Sequence, residues 1–509
     1  MSRADRQELY LSYDSGNHFR MAVNPIKKLA GETAIYGLGT IIPRLLNYFL
    51  VPFYTRVFAQ GDYGQITELY AWVALVMVVL TYGMETAFFR YAESEKDSKS
   101  VFNTATAALL ITSVLFVVFV IIFLGNLTSA IHYEGHKEYI LLLALVVAID
   151  AFTSIPFAYL RFKNKAKRFS TIKIVSVVVN VVLNFTFILF IPSFFGESIQ
   201  DLSFFDGDNN IVLVFLANLF SSGISLLLLL PELKGFRLKI DFALLKKMLS
   251  YGLPILVIGI GIIVSEVSDK ILLRYFLPDK ETAHQQIGIY GANYKLAILM
   301  MLFIQMFRYA AEPFFFRESS KKDAKEIYSK VMSYFVIFTW FIFLGVTLYI
   351  DVFKYFIGPN YWVGLKIVPV VLAAKLFLGV FYNLSLWYKL TNKTIYGAVI
   401  ALIGAGLVII MNVILIPKMG YMGSAWANFA CYFSMMVISF FWGRKVYRVN
   451  YNLLKILSYS LLAVSLYFVS ELIVVDNYIL SLLINSFLLI VFVSVAVIFE
   501  NRNLKKMPT

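Results

Sequence analysis

The sequence predicts an all-α polytopic membrane protein of about 14 transmembrane helices, arranged as two pseudo-symmetric six-helix lobes plus two C-terminal helices. Three observations predict it. The chain is 60% hydrophobic and 15% charged, with a mean hydropathy of +0.76, whereas a soluble domain is typically about half apolar and about a quarter charged. Its apolar residues fall into runs of about 20, the length that crosses a bilayer core as a helix. The chain also repeats itself. Glu85-Thr86-Ala87-Phe88-Phe89-Arg90 closes one run and Glu312-Pro313-Phe314-Phe315-Phe316-Arg317 closes another about 227 positions later, with Tyr63-Gly64 matched by Tyr290-Gly291 and Glu68 matched by Lys295 at the same offset. Two copies of one membrane unit point to a two-lobed transporter.

Residues 1–22 are polar, carry Arg3, Arg6 and Arg20 and hold no apolar core, so they read as a disordered cytoplasmic tail and not as a signal peptide or a span. Met21 stands just ahead of Asn24-Pro25-Ile26, a plausible native start. Apolar stretches then place spans near 34–57, 64–89, 101–125, 138–160, 170–191 and 210–230, an N-lobe over 23–232. Spans near 248–276, 287–315, 329–350, 364–388, 395–416 and 421–442 form a C-lobe over 233–447. Two more, near 455–474 and 478–499, belong to a segment 448–509 that ends in a cytoplasmic tail.

The net charge of +14 does not indicate nucleic acid, because the basic residues alternate with the spans instead of covering one face. Roughly 33 fall on one side, in loops such as Arg161 to Arg168, Lys234 to Lys247 and Arg444 to Lys455, against roughly 6 on the other, so both termini are expected in the cytoplasm. The longest outer loop, near 192–209, is acidic through Glu197, Asp201, Asp206 and Asp208. The single cysteine, Cys431, excludes a disulfide framework, and it has no neighbours at metal-ligand spacing. No metal or other cofactor is expected. Aromatic pairs at span ends, such as Tyr361-Trp362 and Trp387-Tyr388, read as interfacial anchors.

An ionisable group at the bilayer centre costs at least about 2.5–3.5 kcal/mol, so those inside spans need a partner or a watery cavity. Five basic residues are candidates to line a substrate cavity: Arg44, Lys270, Lys295, Arg308 and Lys375. Lys366 lies near a span end and can snorkel. Arg44 follows Pro43 on a polar stripe with Gly37, Thr40 and Asn47 at helical spacing, and Asp150 in span 4 is an alternative structural partner for it. Glu266 stands four residues before Lys270, the order that favours an intrahelical ion pair, and Arg308 stands four before Glu312. Together the cations suit an anionic group such as phosphate or pyrophosphate. Glu85, Asp150, Glu266, Asp269 and Glu312 are candidates to carry a coupling proton or Na⁺. Asn180 and Asn184, at i and i+4 on span 5, are candidates for hydrogen bonds to a sugar or between helices.

The duplicated ends suggest a gate. If the halves face each other about an axis normal to the membrane, Glu85 meets Arg317 and Glu312 meets Arg90, closing the cytoplasmic mouth; alternatively each pair caps its own helix end.

Leu29-Ala30-Gly31-Glu32-Thr33-Ala34-Ile35-Tyr36-Gly37, Phe58-Ala59-Gln60-Gly61-Asp62-Tyr63-Gly64, Tyr82-Gly83-Met84-Glu85-Thr86-Ala87-Phe88-Phe89-Arg90 and Gly420-Tyr421-Met422-Gly423-Ser424-Ala425-Trp426-Ala427 follow one another in an order that carries a resemblance. Over about residues 22–500 the chain resembles the polysaccharide transporter family, the Wzx-type oligosaccharide or O-antigen flippases of the multidrug/oligosaccharidyl-lipid/polysaccharide exporter superfamily. The resemblance implies a non-enzymatic flippase in a bacterial inner membrane. It would move a polyprenyl-pyrophosphate-linked oligosaccharide, the repeat unit of a surface polysaccharide or lipopolysaccharide, by alternating access with proton or Na⁺ coupling. Its partners would be that glycolipid, membrane lipids and other polysaccharide-assembly membrane proteins. In related lipid II flippases arginines of span 1 line a cationic cavity, which makes Arg44 the equivalent by position, and the last two spans shape a lipid-tail groove. A lipid II flippase and a multidrug or cation exporter of the same superfamily remain alternative readings. A membrane glycosyltransferase or polymerase is disfavoured, because no substantial loop carries an acid–base constellation.

Overall fold

A computed structural model describes residue 39 and residues 41–505, apart from 95–96, 191–210, 320, 392 and 474. The expected tail over 1–22, the motif over 29–37 and the acidic loop near 192–209 lie outside the described residues. Helical residues 41–48 lead into α1 (Leu50–Val57). There follow α2 (Gln60–Thr81), α3 (Met84–Ser94), α4 (Ser98–Ile122), α5 (Lys137–Phe162), α6 (Ala166–Phe185) and α7 (Ile211–Leu229), then α8 (Phe242–Phe276), α9 (Lys280–Lys295), α10 (Ile298–Glu318), α11 (Ala324–Thr347), α12 (Val368–Leu384), α13 (Ile395–Met419), α14 (Tyr421–Val446), α15 (Leu453–Leu472) and α16 (Tyr478–Lys505). Among the described residues 12 helices are long and apolar enough to cross a membrane, and α9 with α10, bent by 52° at their junction, brings the number to 13. Residues 41–57 occupy the place of the first expected span. The protein is an all-helical, multi-pass membrane protein.

Local chemistry sets the ends of these helices. Asp97 accepts the Lys99 N–H ahead of α4, Asp279 accepts the Thr282 N–H at the start of α9, and Asn452 accepts the Lys455 N–H at the start of α15. Span 2 is broken between α2 and α3, where Tyr82 and Gly83 both take positive φ. Gly83 is needed there, since a Cβ would lie 2.4 Å from the Gly252 carbonyl oxygen.

The chain divides into two compact units, and not at a single point. The first comprises the residues up to Asn47 with Gly83–Gly252, and the second comprises Tyr48–Tyr82 with Leu253–Thr509. The lobes were expected as continuous runs, yet Tyr48–Tyr82 packs with the second unit.

In the first unit, Phe88 meets the rings of Phe102 and Phe162 edge-on, and Phe157, Leu160, Phe169, Ile172 and Leu229 form a core between α5, α6 and α7. Gly39 and Asn47 both meet α6: a Cβ on Gly39 would collide with Ser170, and Asn180 donates to Asn47 at 3.4 Å. Ser176 and Ser225 hydroxyls bond across α6 and α7, and Arg168 grips Glu232 with two hydrogen bonds of 2.6 and 3.0 Å.

In the second unit, α2 crosses α9 with almost no side chain between them. A Cβ at Gly64 would sit 1.8 Å from the His284 carbonyl oxygen, and one at Gly288 would sit 1.9 Å from that of Gln60. The same end of α2 is bolted to the segment ahead of α12. The Tyr361 hydroxyl donates to the carbonyls of Phe58 and Ala59, Arg56 donates to the Tyr355 carbonyl, and the Gly358 N–H donates to Thr55 Oγ1. These contacts are why α2 belongs with the second unit. At the far end of the chain, α11 packs on α15 and α16 through Trp340 Nε1 to Ser460 and Asn485 to the Leu348 carbonyl.

Candidate functional site

The second unit holds a buried polar cluster inside its apolar helices. Asp269 of α8, 1% exposed, is its centre. One carboxylate oxygen accepts Lys270 Nζ at 2.8 Å, and the other accepts the Tyr290 hydroxyl from α9 and Asn428 Nδ2 from α14, both at 2.7 Å. Asn428 also donates to the Tyr290 hydroxyl at 2.9 Å. Lys270 reaches the Glu266 carbonyl as well, and its ammonium lies 4.5 Å from the Tyr294 ring. The cluster thus neutralises itself through side chains and backbone of three helices, α8, α9 and α14.

Lys375 of α12 completes the site in a different way. It is 1% exposed, and among the described residues its ammonium has no hydrogen-bond partner. It faces the rings of Tyr294 and Tyr432, each 4.9 Å away. Tyr432 is fixed by donating to the Ser265 carbonyl at 3.1 Å. Aromatic faces attract a cation, but they do not replace the three acceptors that an ammonium can use.

Nearer the basic loops of the same unit, Glu312 of α10 accepts Lys389 at 2.8 Å, and Arg308 stacks 4.9 Å from the Tyr382 ring. Arg308, Glu312, Tyr382 and Lys389 line one small cavity. The first unit carries a matching arrangement. Glu85 of α3 bonds Arg161 of α5, whose guanidinium packs on the Phe89 and Phe169 rings. Asp150 interacts with the Ser222 hydroxyl and with Lys173, whose ammonium lies 3.9 Å from the Phe157 ring.

A family profile described as "Polysaccharide biosynthesis protein" matches residues 29–319. The chain belongs to that family. No match was found among curated proteins by sequence. Solved structures share the fold of this polysaccharide biosynthesis family member. A structure titled "Lipid II flippase MurJ, inward closed conformation" is 14% identical with a TM-score of 0.72, covering 93% of this chain and 100% of that one. Inward-facing and outward-facing structures of a multidrug resistance MATE family transporter of the MOP superfamily are each 13% identical, with TM-scores of 0.57 and 0.58, covering 81% and 83% of this chain. The profile shows the family, and these structures show that the fold is shared.

The sites expected from the family member's sequence fall into place unevenly. Lys270, Asp269 and Lys375 come together, as do Arg308 and Glu312. Glu266 does not pair with Lys270 as its i, i+4 spacing suggested: the ammonium turns to the adjacent Asp269, because that carboxylate is already held in place by Tyr290 and Asn428. Glu312 likewise takes Lys389 and not Arg308. Lys295, half-buried, lies 5.4 Å from the Tyr48 ring. Arg44 is exposed on the helical segment 41–48. Of the four gate candidates, Glu85 and Glu312 have ion-pair partners within their own units, and the Arg90 guanidinium lies 4.3 Å over the Tyr251 ring. The Arg317 side chain lies outside the described residues. Sequence reasoning missed Tyr290, Tyr294, Asn428, Tyr432, Lys173, Arg161 and Lys389. Asn428, a carboxamide inside an apolar run, was the one usable signal, while the tyrosines resemble any membrane aromatic.

Proposed function

We propose that this protein is a flippase that moves a polyprenyl-pyrophosphate-linked oligosaccharide from the cytoplasmic to the outer leaflet of a bacterial inner membrane by alternating access. The observation that carries the proposal is the retention of basic side chains inside apolar helices, above all Lys375, whose burial without an acceptor makes sense where an anionic group arrives during the cycle. A diphosphate supplies such a group, and the sugar needs only loose hydrogen bonding. A multidrug or cation exporter would gain nothing from an unneutralised buried cation. A lipid II flippase would use the same diphosphate chemistry, and the glycan on the carrier separates the two.

The cycle is coupled to an ion at the Asp269 cluster. Na⁺ bound there would have to displace the Lys270 ammonium from the same carboxylate, so a proton is the ion we assign. The glutamates Glu85 and Glu312 lie near helix ends next to the basic loops, each bonded to a base of its own unit, Arg161 and Lys389.

Deleting the gene in its host and quantifying lipid-linked oligosaccharides by mass spectrometry tests the reading, with leaflet exposure probed by an impermeant glycosidase. A protected, cytoplasm-facing polyprenyl-pyrophosphate oligosaccharide should accumulate and be cleared by wild type but not by Lys375→Met or Arg44→Ala. An unchanged lipid pool would rule the flippase proposal out. Accumulation of a peptidoglycan precursor alone would assign the lipid II reading.

A further inference from the structure

Three tyrosines stand around Lys270 and Lys375 in the second unit, and they spend their hydroxyls differently. Tyr290 donates to Asp269, and Tyr432 donates to the Ser265 carbonyl. The Tyr294 hydroxyl is buried too, and among the described residues it has no hydrogen-bond partner. Such a group is uncommon, since a buried tyrosine O–H normally finds an acceptor. The ring of the same residue is engaged twice, with Lys270 Nζ 4.5 Å and Lys375 Nζ 4.9 Å from its centre. Lys375 is the other donor at this point without an acceptor. One contact therefore joins two buried donors with nothing to donate to. Neither carboxylate nearby meets the need. Asp269 is held by Lys270, Tyr290 and Asn428, and Glu266, exposed on α8, acts on Lys375 and Tyr294 through space without a hydrogen bond to either.

We propose that Tyr294 orients the substrate: its hydroxyl donates to a phosphate oxygen of the same diphosphate that Lys375 receives. The assignment rests on the diphosphate reading given above and adds a neutral donor to it. The hydroxyl sits at the rim of the ring that the ammonium faces, so both donors come within the span of one diphosphate. A lysine is a point charge on a flexible stem and sets no direction by itself. A hydroxyl on α9 beside an ammonium on α12 does, because each donor is fixed by a different helix. The ring has a separate task, to hold the Lys375 ammonium by a contact weak enough to be given up when an anion arrives. A hydroxyl without a protein acceptor breaks no bond within the protein when phosphate binds, so the whole of the new hydrogen bond counts toward affinity.

The test titrates inorganic pyrophosphate into the full-length protein in phosphatidylcholine nanodiscs, with affinity read by calorimetry and melting temperatures taken without ligand. Lys375→Met should abolish saturable binding. Tyr294→Phe, which keeps the ring and loses the hydroxyl, should weaken binding about tenfold and melt at the same or a higher temperature than wild type. Tyr432→Phe removes a hydroxyl that the Ser265 carbonyl already engages, so it should melt lower and weaken binding less than Tyr294→Phe does. Wild-type affinity in Tyr294→Phe would overturn the role of this hydroxyl and leave the diphosphate reading standing. A lowered melting temperature in Tyr294→Phe would make the hydroxyl a structural donor and overturn the role as well. Equal weakening by Tyr432→Phe would overturn the assignment to Tyr294. Binding that survives Lys375→Met, or no saturable binding by wild type, would overturn the diphosphate reading itself and this role with it.

Discussion

A lysine ammonium carries three donors, and Lys375 holds its own where only two tyrosine rings face it. Leaving such a group unsatisfied costs about 1–3 kcal/mol or more, so its replacement by an apolar side chain of similar length should relieve the protein while harming its work. Lys375→Met is expected to melt at the same or a higher temperature than wild type in detergent, and to flip lipid at least about tenfold more slowly in proteoliposomes. A melting point lowered by the change would show that Lys375 serves packing instead. Asp269 behaves in the opposite sense. Asp269→Asn strands Lys270 and should destabilise by about 3 kcal/mol, whereas Asp269→Asn with Lys270→Met should recover most of the loss in the same melting assay. Lys375, Lys270 and Asp269 were legible in the sequence because a charge inside an apolar run stands out. Their partners were not, since a helix-spacing argument sees only one helix, and it therefore offered Glu266 to Lys270 when the decisive contacts came from α9 and α14.

The elements show the same limit at larger size. Every expected span over the described residues has its helix within a few positions, because run length and hydropathy are local properties. The breaks were less visible. Tyr82-Gly83 carries a glycine, a usable signal, but the 52° bend between α9 and α10 falls at Leu296 and Ala297, residues with no bias toward bending. The crossing of α2 on α9 rests on Gly64 and Gly288, so Gly64→Ala should cost about 1–3 kcal/mol through overpacking and separate the two helices. A cysteine pair engineered near the crossing should then crosslink more slowly than in the glycine parent. Asp279 makes a smaller, pH-dependent contribution outside the spans. Its carboxyl is held below the ordinary range by hydrogen bonds from the Thr282 backbone and side chain. A depressed pKa adds stability above the unfolded value and loses it as pH falls, so the melting-point gap between wild type and Asp279→Ala should be full at neutral pH and close below about pH 4.

Across the whole molecule, the duplication visible in the sequence extends to chemistry. Glu85 pairs with Arg161 and Glu312 pairs with Lys389, an acid near the end of one helix bonded to a base near the end of another in each unit. The repeat of the glutamates was readable, but the bases were not, because arginine stands in one half and lysine in the other and the flanking residues differ. Reversing one pair should therefore be rescued within its own unit: Glu85→Arg loses transport, and Arg161→Glu added to it restores the activity at least in part. Rescue by Arg317→Glu and not by Arg161→Glu would favour a pairing between the halves.

Interleaving of the two units also constrains how the protein is made. Glu68 on α2 is fully buried against His284 of α9, 3.1 Å away, and the start of α2 is held by Tyr361, which is synthesised roughly 300 residues later than Phe58. During synthesis α2 must wait, with an acidic side chain and a bare glycine face in or beside the bilayer, until the second half of the chain arrives. Nascent chains that stop short of α9 therefore hold a span whose packing partner does not yet exist.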